Sequence, residues 1–288
     1  MNYKDIIYEK KGAVAHITFN RPEKMNALST KSGGVLEQWE DACNDAKKDK
    51  AIRIVILKGA GRCFSAGYDI SDLSNSGIGK PIDEDRYDYW ASHVNRYIRC
   101  IWEHPKVFIA QVHGFCLAGA NDMAGLCDIT VASEDAVFGY PAVRYGTLPN
   151  TFTWPYLIGL KKSKELVFTG NLIDAHEARS IGLVNRVVPK DKLDKEVDKL
   201  TDAIIKVPAM TVKLAKVSVN NMFELMGFRQ GIQQNRELDH HVHSSAPPEF
   251  VEFDRIVKEK GLKAALEWRD AKFEKDTGVG QDLRARKY

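Results

Sequence analysis

The stretch His113-Gly-Phe-Cys-Leu-Ala-Gly-Ala-Asn-Asp-Met-Ala-Gly-Leu-Cys-Asp128 constrains the fold more than any other part of the chain. It follows an apolar β-type run over residues 107–112 and precedes another over 129–132. Between them small residues crowd around Gly119, after which Asp122, Met123, Leu126 and Cys127 recur at helical spacing. A strand that feeds a Gly/Ala-rich turn into a helix leaves the first helical N–H groups without internal acceptors. Those donors, with the positive end of the helix dipole, can hold an oxyanion, and Asp122 lies one turn further in for acid/base work. The alternative is a tightly packed helix start, its glycines serving close backbone approach and Asp122 favouring the dipole. Taken alone, the stretch favours this plainer reading, because Gly-rich strand–helix turns are common.

Composition narrows the class. A chain of 288 residues, 44% hydrophobic and 28% charged, fits a soluble globular protein with a substantial core. The formal net charge of +3 builds no field for a polyanion, so no nucleic-acid partner is expected. No apolar run approaches the roughly 20 residues of a membrane helix, and Met1-Asn-Tyr-Lys-Asp5 lacks an apolar signal core. The five cysteines, at positions 43, 63, 100, 116 and 127, have no metal or disulfide spacing. Reduced thiols in a cytoplasmic protein without a metal site are the expectation.

In chain order, residues 6–8 and 13–19 predict a β-hairpin, and Leu36, Trp39 and Cys43 form the stripe of a following helix. Residues 52–57 predict a buried strand, ended by Lys58-Gly-Ala-Gly-Arg62, and Cys63-Phe-Ser-Ala-Gly-Tyr-Asp-Ile70 is a second small-residue turn. Loop chemistry over 74–82 and a Tyr/Trp-rich helix at about 85–102 lead to the central strand. Beyond residue 133 come a loop-rich passage to 149 and helices at 161–168 and 174–181, the second capped by Asp174 with Glu177. A short strand at 182–189 precedes a mainly helical region to about 275, broken at Pro208 and Pro247-Pro248. Two strand–turn–helix passages, neither with a dinucleotide or P-loop fingerprint, make an α/β body with a helical C-terminal third.

Four segments together resemble the crotonase (enoyl-CoA hydratase/isomerase) superfamily over nearly the whole chain. They are Asn20-Arg-Pro-Glu-Lys-Met-Asn-Ala-Leu28, Phe64-Ser-Ala-Gly-Tyr-Asp-Ile70, the stretch from His113 to Asp128, and Gly182-Leu-Val-Asn-Arg-Val-Val-Pro189. The resemblance implies a crotonase-like α/β spiral of ββα units over residues 1–192 and a helical trimerisation region over 193–288. Its trimers often pair into hexamers. It implies an acyl-CoA thioester as substrate, with coenzyme A entering as part of that substrate rather than as a cofactor. The main-chain N–H groups of Tyr68 and Gly119 would grip the thioester oxygen, where charge develops once a Cα proton leaves or a nucleophile adds at Cβ. Asp122 would be the acid/base. Ala66 falls where the family meets the adenine through its main chain, and Arg62 where a basic residue approaches the phosphates. For Arg62 a solvated turn residue is an equal alternative, and Lys24 is a weaker phosphate contact. Phe273 matches an aromatic that covers the adenine of a neighbouring subunit in some members, although plain packing also accounts for it.

The family's hydratases hold a water between two glutamates. Here those positions carry Asp122 and Ala142, and an alanine can neither accept nor deliver a proton. Asp122 is also one methylene shorter than glutamate, and proton transfer needs about 2.6–3.2 Å. One carboxylate still suffices to shuttle a proton along a dienolate, or to activate water in a hydrolase. A carboxylate among Leu117, Met123 and Leu126 should have a raised pKa. Tyr140 and Trp154 read either as lining for a bulky acyl group or as packing, with Arg144, Tyr145, Asn150 and Thr151 as further polar and aromatic neighbours of Ala142. Asn121 should point elsewhere on the helix, His113 reads as a satisfied buried histidine, and Asp69 and Asp128 as structural caps. Asp239-His-His-Val-His243 cannot turn all its histidines to one ion and reads as a solvated or subunit-contact surface. A non-catalytic RNA-binding relative would call for a basic stripe, and the single basic cluster, Arg284-Ala-Arg-Lys287, reads as a frayed tail.

Overall fold

A computed structural model describes residues 3–73, 88, 91–92 and 95–273. The loop expected at 74–82, part of the helix expected at 85–102 and the basic cluster at 284–287 lie outside the described residues. The hairpin strands β1 (Ile6–Lys11) and β2 (Val14–Phe19) pair antiparallel and open a six-stranded sheet. Parallel strands β3 (Ile54–Gly59), β4 (Val107–Val112), β6 (Ile129–Ser133) and β9 (Arg186–Val188) follow in the order β1-β2-β3-β4-β6-β9. A second sheet joins three short strands in the order β5-β7-β8, namely β5 (Phe115–Leu117), β7 (Val137–Gly139) and β8 (Ile173–Asp174).

The central strands read as continuous apolar runs because both faces of the large sheet are covered, as parallel sheets require. Val55, Leu57, Phe108 and Ala110 point into the main core with Trp39, Ala42 and Cys43 of helix α1 (Val35–Lys48). Their alternates Ile54, Ile56, Val107 and Ile109 face Leu193, Val197 and Leu200 of helix α5 (Leu193–Lys206) on the other side. Between them in the chain run α2 (Gly119–Leu126), α3 (Leu160–Thr169) and α4 (Ala175–Ser180). Asp174 caps α4 as expected, accepting from the Glu177 amide at 2.8 Å. Three longer helices complete the C-terminal region: α6 (Ala209–Leu225), α7 (Phe228–Ser245) and α8 (Pro248–Ala271). Gly261, at φ 83°, breaks α8 into two pieces. Among the described residues no helix is long and apolar enough to cross a membrane.

Candidate active site

β3 and β4 lie side by side in parallel, so the turns that follow them leave the sheet at the same edge. They continue to pair beyond the strands. Phe64 N donates to His113 O at 2.7 Å, Ser65 N to Phe115 O at 2.9 Å, and Leu117 N to Ser65 O at 3.1 Å. This sets Ser65 against Cys116 as an isolated parallel bridge, and three residues further along each turn the Tyr68 ring lies against Gly119. The approach is as close as glycine permits: a Cβ on Gly67 would lie 2.6 Å from the Leu117 carbonyl, at a φ of 91°. A Cβ on Gly119 would lie 2.6 Å from the Tyr68 ring.

The amide directions follow from the pairing. Leu28 N donates to Gly67 O and Asp69 N donates to Leu28 O, so the Leu28–Tyr68 bridge uses the peptide groups flanking Tyr68. The Tyr68 N–H therefore points away from that bridge. Gly119 is the first residue of α2, where an amide has no acceptor within the helix. Ala118 holds the turn at φ 48°, a left-handed backbone rare for a residue with a Cβ, and its N–H donates to Gly139 O at 2.9 Å. The Asn20–Leu28 motif braces this arrangement. The buried Asn26 side chain donates to the Ala60 and Cys63 carbonyls, each at 2.8 Å, and Arg21 pairs with Asp69 at 3.0 Å.

Asp122, 1% exposed, stands one turn into α2. The Tyr140 hydroxyl donates to its Oδ1 at 2.5 Å, and the Thr151 amide approaches its Oδ2 at 3.4 Å. Burial pushes its pKa up to about 8; the hydrogen bonds from Tyr140 and Thr151 pull it down, and the Asp239 carboxylate adds to the rise. Asp122, Ala66, Tyr68, Ala118, Gly119 and Tyr140 line one cavity of about 90 Å³. Ala142 lines it as well, and no carboxylate enters from that position.

The other expected residues are placed differently. Trp154 does not line the cavity: it is fully buried behind Tyr140, with ring centroids 4.6 Å apart. Phe273 lies with its ring 4.2 Å from the Arg144 guanidinium, in a packing contact. Arg144 turns away from the cavity toward Thr169, Asn171 and Asp270. Arg62 is exposed outside the cavity, with its guanidinium 2.9 Å from the Met25 sulfur. Lys24 reaches Asp69 at 3.9 Å. Tyr145 and Asn150 line the cavity, Thr151 meets Asp122 through its amide, and Asn121 is buried outside the lining. His113 is half-buried rather than buried; its Nε2 donates to Gly61 O at 3.0 Å, and desolvation lowers its pKa. Asp69 accepts from Ser71 N and Asp128 from Phe108 N, both holding backbone.

The segment Asp239–His243 departs from its reading as a solvated surface. Asp239 and His240 are buried in α7, His243 lines the cavity, and only His241 of the three histidines is exposed. Arg269 of α8 lines the cavity too. The available signal was the i, i+4 spacing of Asp239 and His243, which puts a carboxylate and an imidazole on one helix face.

The chain matches the family described as enoyl-CoA hydratase/isomerase over residues 9–276. A probable mitochondrial enoyl-CoA hydratase of Dictyostelium discoideum is 36% identical over 235 residues, 81% of this chain and 80% of that protein. A crotonyl-CoA hydratase of Syntrophomonas wolfei is 32% identical over 277 residues, 95% of this chain and 99% of that protein. A crystal structure of an enoyl-CoA hydratase/isomerase from Xanthobacter autotrophicus superposes with a TM-score of 0.86 at 34% identity, covering 94% of this chain and 99% of that one.

Proposed function

The chain belongs to the enoyl-CoA hydratase/isomerase family, and from that premise we propose a division of labour within its cavity. The protein is an acyl-CoA enzyme of the hydratase/isomerase type. The Tyr68 and Gly119 amides bind the thioester oxygen, and Asp122 moves the proton at the neighbouring carbon. The observation that carries this reading is the buried Asp122 carboxyl in the same cavity as two turns paired in register. Enolate formation places negative charge on the thioester oxygen, and one fixed donor in such a hole contributes about 3 kcal/mol to the transition state. A carboxyl with a pKa near 8 changes protonation state readily at neutral pH, which suits proton transfer to and from carbon.

The Ala66 amide already donates to Met25 O at 3.0 Å, so its carbonyl is the group to meet an adenine amino group. Arg62, exposed beside that turn, reaches the phosphates in this reading. The narrow cavity favours a short acyl chain. We place the enzyme in the cytoplasm as a homotrimer or homohexamer. Calorimetry with acyl-CoA thioesters, followed by incubation with crotonyl-CoA and cyclic enoyl-CoAs read by mass and by ultraviolet absorbance, tests the reading. Binding with gain of one water, or with migration of the double bond, is expected. Absence of binding to every thioester contradicts it.

A further inference from the structure

Hydration across a double bond needs a group to take a proton from water as well as one to serve Cα, and Ala142 leaves the loop after β7 without it. Helices α7 and α8 also reach the cavity, through His243 and Arg269, and α7 brings a second titratable pair. His243 lines the cavity and meets Asp239 one helical turn earlier, with Nδ1 3.5 Å from Asp239 Oδ2. Asp239 is 1% exposed and its Oδ1 accepts from the Leu148 amide at 3.0 Å, which fixes the carboxylate. The imidazole stands edge-on to Phe250, at 5.4 Å and 85°. The loop 148–151 is gripped at both ends, at Leu148 by Asp239 and at Thr151 by Asp122. The two carboxylates are therefore braced through one short segment, and the Asp239 charge is felt at Asp122.

We propose that His243, oriented by Asp239, is the second acid–base group of this site and activates the water that adds to the enoyl thioester. Its Nδ1 faces Asp239, so Nε2 is the nitrogen that meets the water. The water oxygen bonds to Cβ as Nε2 takes one of its protons. The C=C electron pair moves to Cα–C1 and charge passes to the thioester oxygen. That charge returns to Cα, which takes the proton of Asp122. His243 has then gained one proton and Asp122 has lost one, and exchange with solvent restores both. Asp239 meets His243 from its own helix, and Tyr145 from the segment after β7, Asp122 from α2 and Arg269 from α8 line the same cavity. Arg269 is itself paired with Asp270 at 2.8 Å.

This inference rests on the proposed function, and two reactions separate them. Cα hydrogen–deuterium exchange of butyryl-CoA in D₂O needs Asp122 alone, whereas hydration of crotonyl-CoA needs both groups. His243→Gln should hydrate crotonyl-CoA roughly 10²–10⁴-fold more slowly, with its butyryl-CoA exchange falling far less than its hydration. Asp239→Asn tests the positioning role without altering the imidazole. Losing the acceptor frees the imidazole to turn, so kcat for hydration should fall with KM little changed, and Asp239→Glu should restore part of it. A parent that exchanges and hydrates while His243→Gln hydrates at the parent rate overturns the His243 assignment alone. An unchanged kcat in Asp239→Asn overturns the role of Asp239, and a parent that does neither reaction overturns the proposed function and this inference together.

Discussion

Burial alone would hold Asp122 protonated well above its ordinary range, and the Tyr140 hydroxyl, more than the Thr151 amide, restrains it. Tyr140→Phe removes that donor, so the Asp122 pKa should climb above its value of about 8. Cα exchange of butyryl-CoA requires the ionised carboxylate, and its pH midpoint should move upward in the variant; an unmoved midpoint would show that Tyr140 does not tune the acid. The same shift has a cost in stability. The native state binds the Asp122 proton more tightly than the unfolded chain, whose carboxyl titrates near 4. Its contribution is complete below pH 4 and is lost as pH rises through about 8. Asp122→Asn should therefore gain stability relative to the parent by about 1.4 kcal/mol per pH unit between pH 5 and 7, measured by denaturant unfolding. A pH-independent difference would mean that the carboxyl is not held protonated. The position and burial of Asp122 were legible in the sequence from its register behind Gly119. Its link to Tyr140 was not, because a contact across 18 residues leaves no local period.

At the scale of elements, the site depends on two turns held against each other by backbone pairing. Gly67→Ala forces a Cβ against the Leu117 carbonyl at a φ that L side chains avoid. It should destabilise the fold by at least about 1–3 kcal/mol, and cut turnover beyond what unfolding explains, because Tyr68 and Gly119 would separate. A Gly67→Ala protein with parent stability, followed by chemical denaturation, would contradict the pairing. The long strands and helices were readable because their apolar period is sustained: β4, α1 and α5 appear where residues 107–112, Leu36 to Cys43 and the start at Lys192 predict them. The strands β5, β7 and β8 span three, three and two residues, too short for a period to show. For the same reason the passage after β7 read as a loop, whereas Pro141–Tyr145 forms a 3-10 helix. Helix α6 poses the opposite case, with clear apolar content and no buried residue. Met210, Leu214 and Val217 lie at i, i+4 and i+7 on one face, exposed by 62, 56 and 44%. A stripe of that kind is what a contact between copies of the chain would bury.

For the whole molecule, that stripe supports the homotrimer or homohexamer proposed above. Light scattering should return three or six times the monomer mass, and Leu214→Glu should lower it by placing a charge in a closed apolar contact. A parent that scatters as a monomer would contradict the proposal. The fold as a whole was legible because four motifs stand in one order, each tied in by backbone pairing: Met25 and Leu28 join the first motif to the second, β3 and β4 align the second with the third, and β9 of the fourth pairs with β6. The region around α7 was not legible as part of the site, since nothing local in Asp239–His243 tells which face of the helix meets the cavity. The central claim is that one buried carboxyl, beside an oxyanion hole, carries the proton at Cα. It is tested most directly by Asp122→Asn, an almost isosteric change, assayed on crotonyl-CoA by mass with thioester affinity measured by calorimetry. The expected result is parent-like affinity with turnover lowered roughly 10²–10⁴-fold. Full turnover in Asp122→Asn would contradict it.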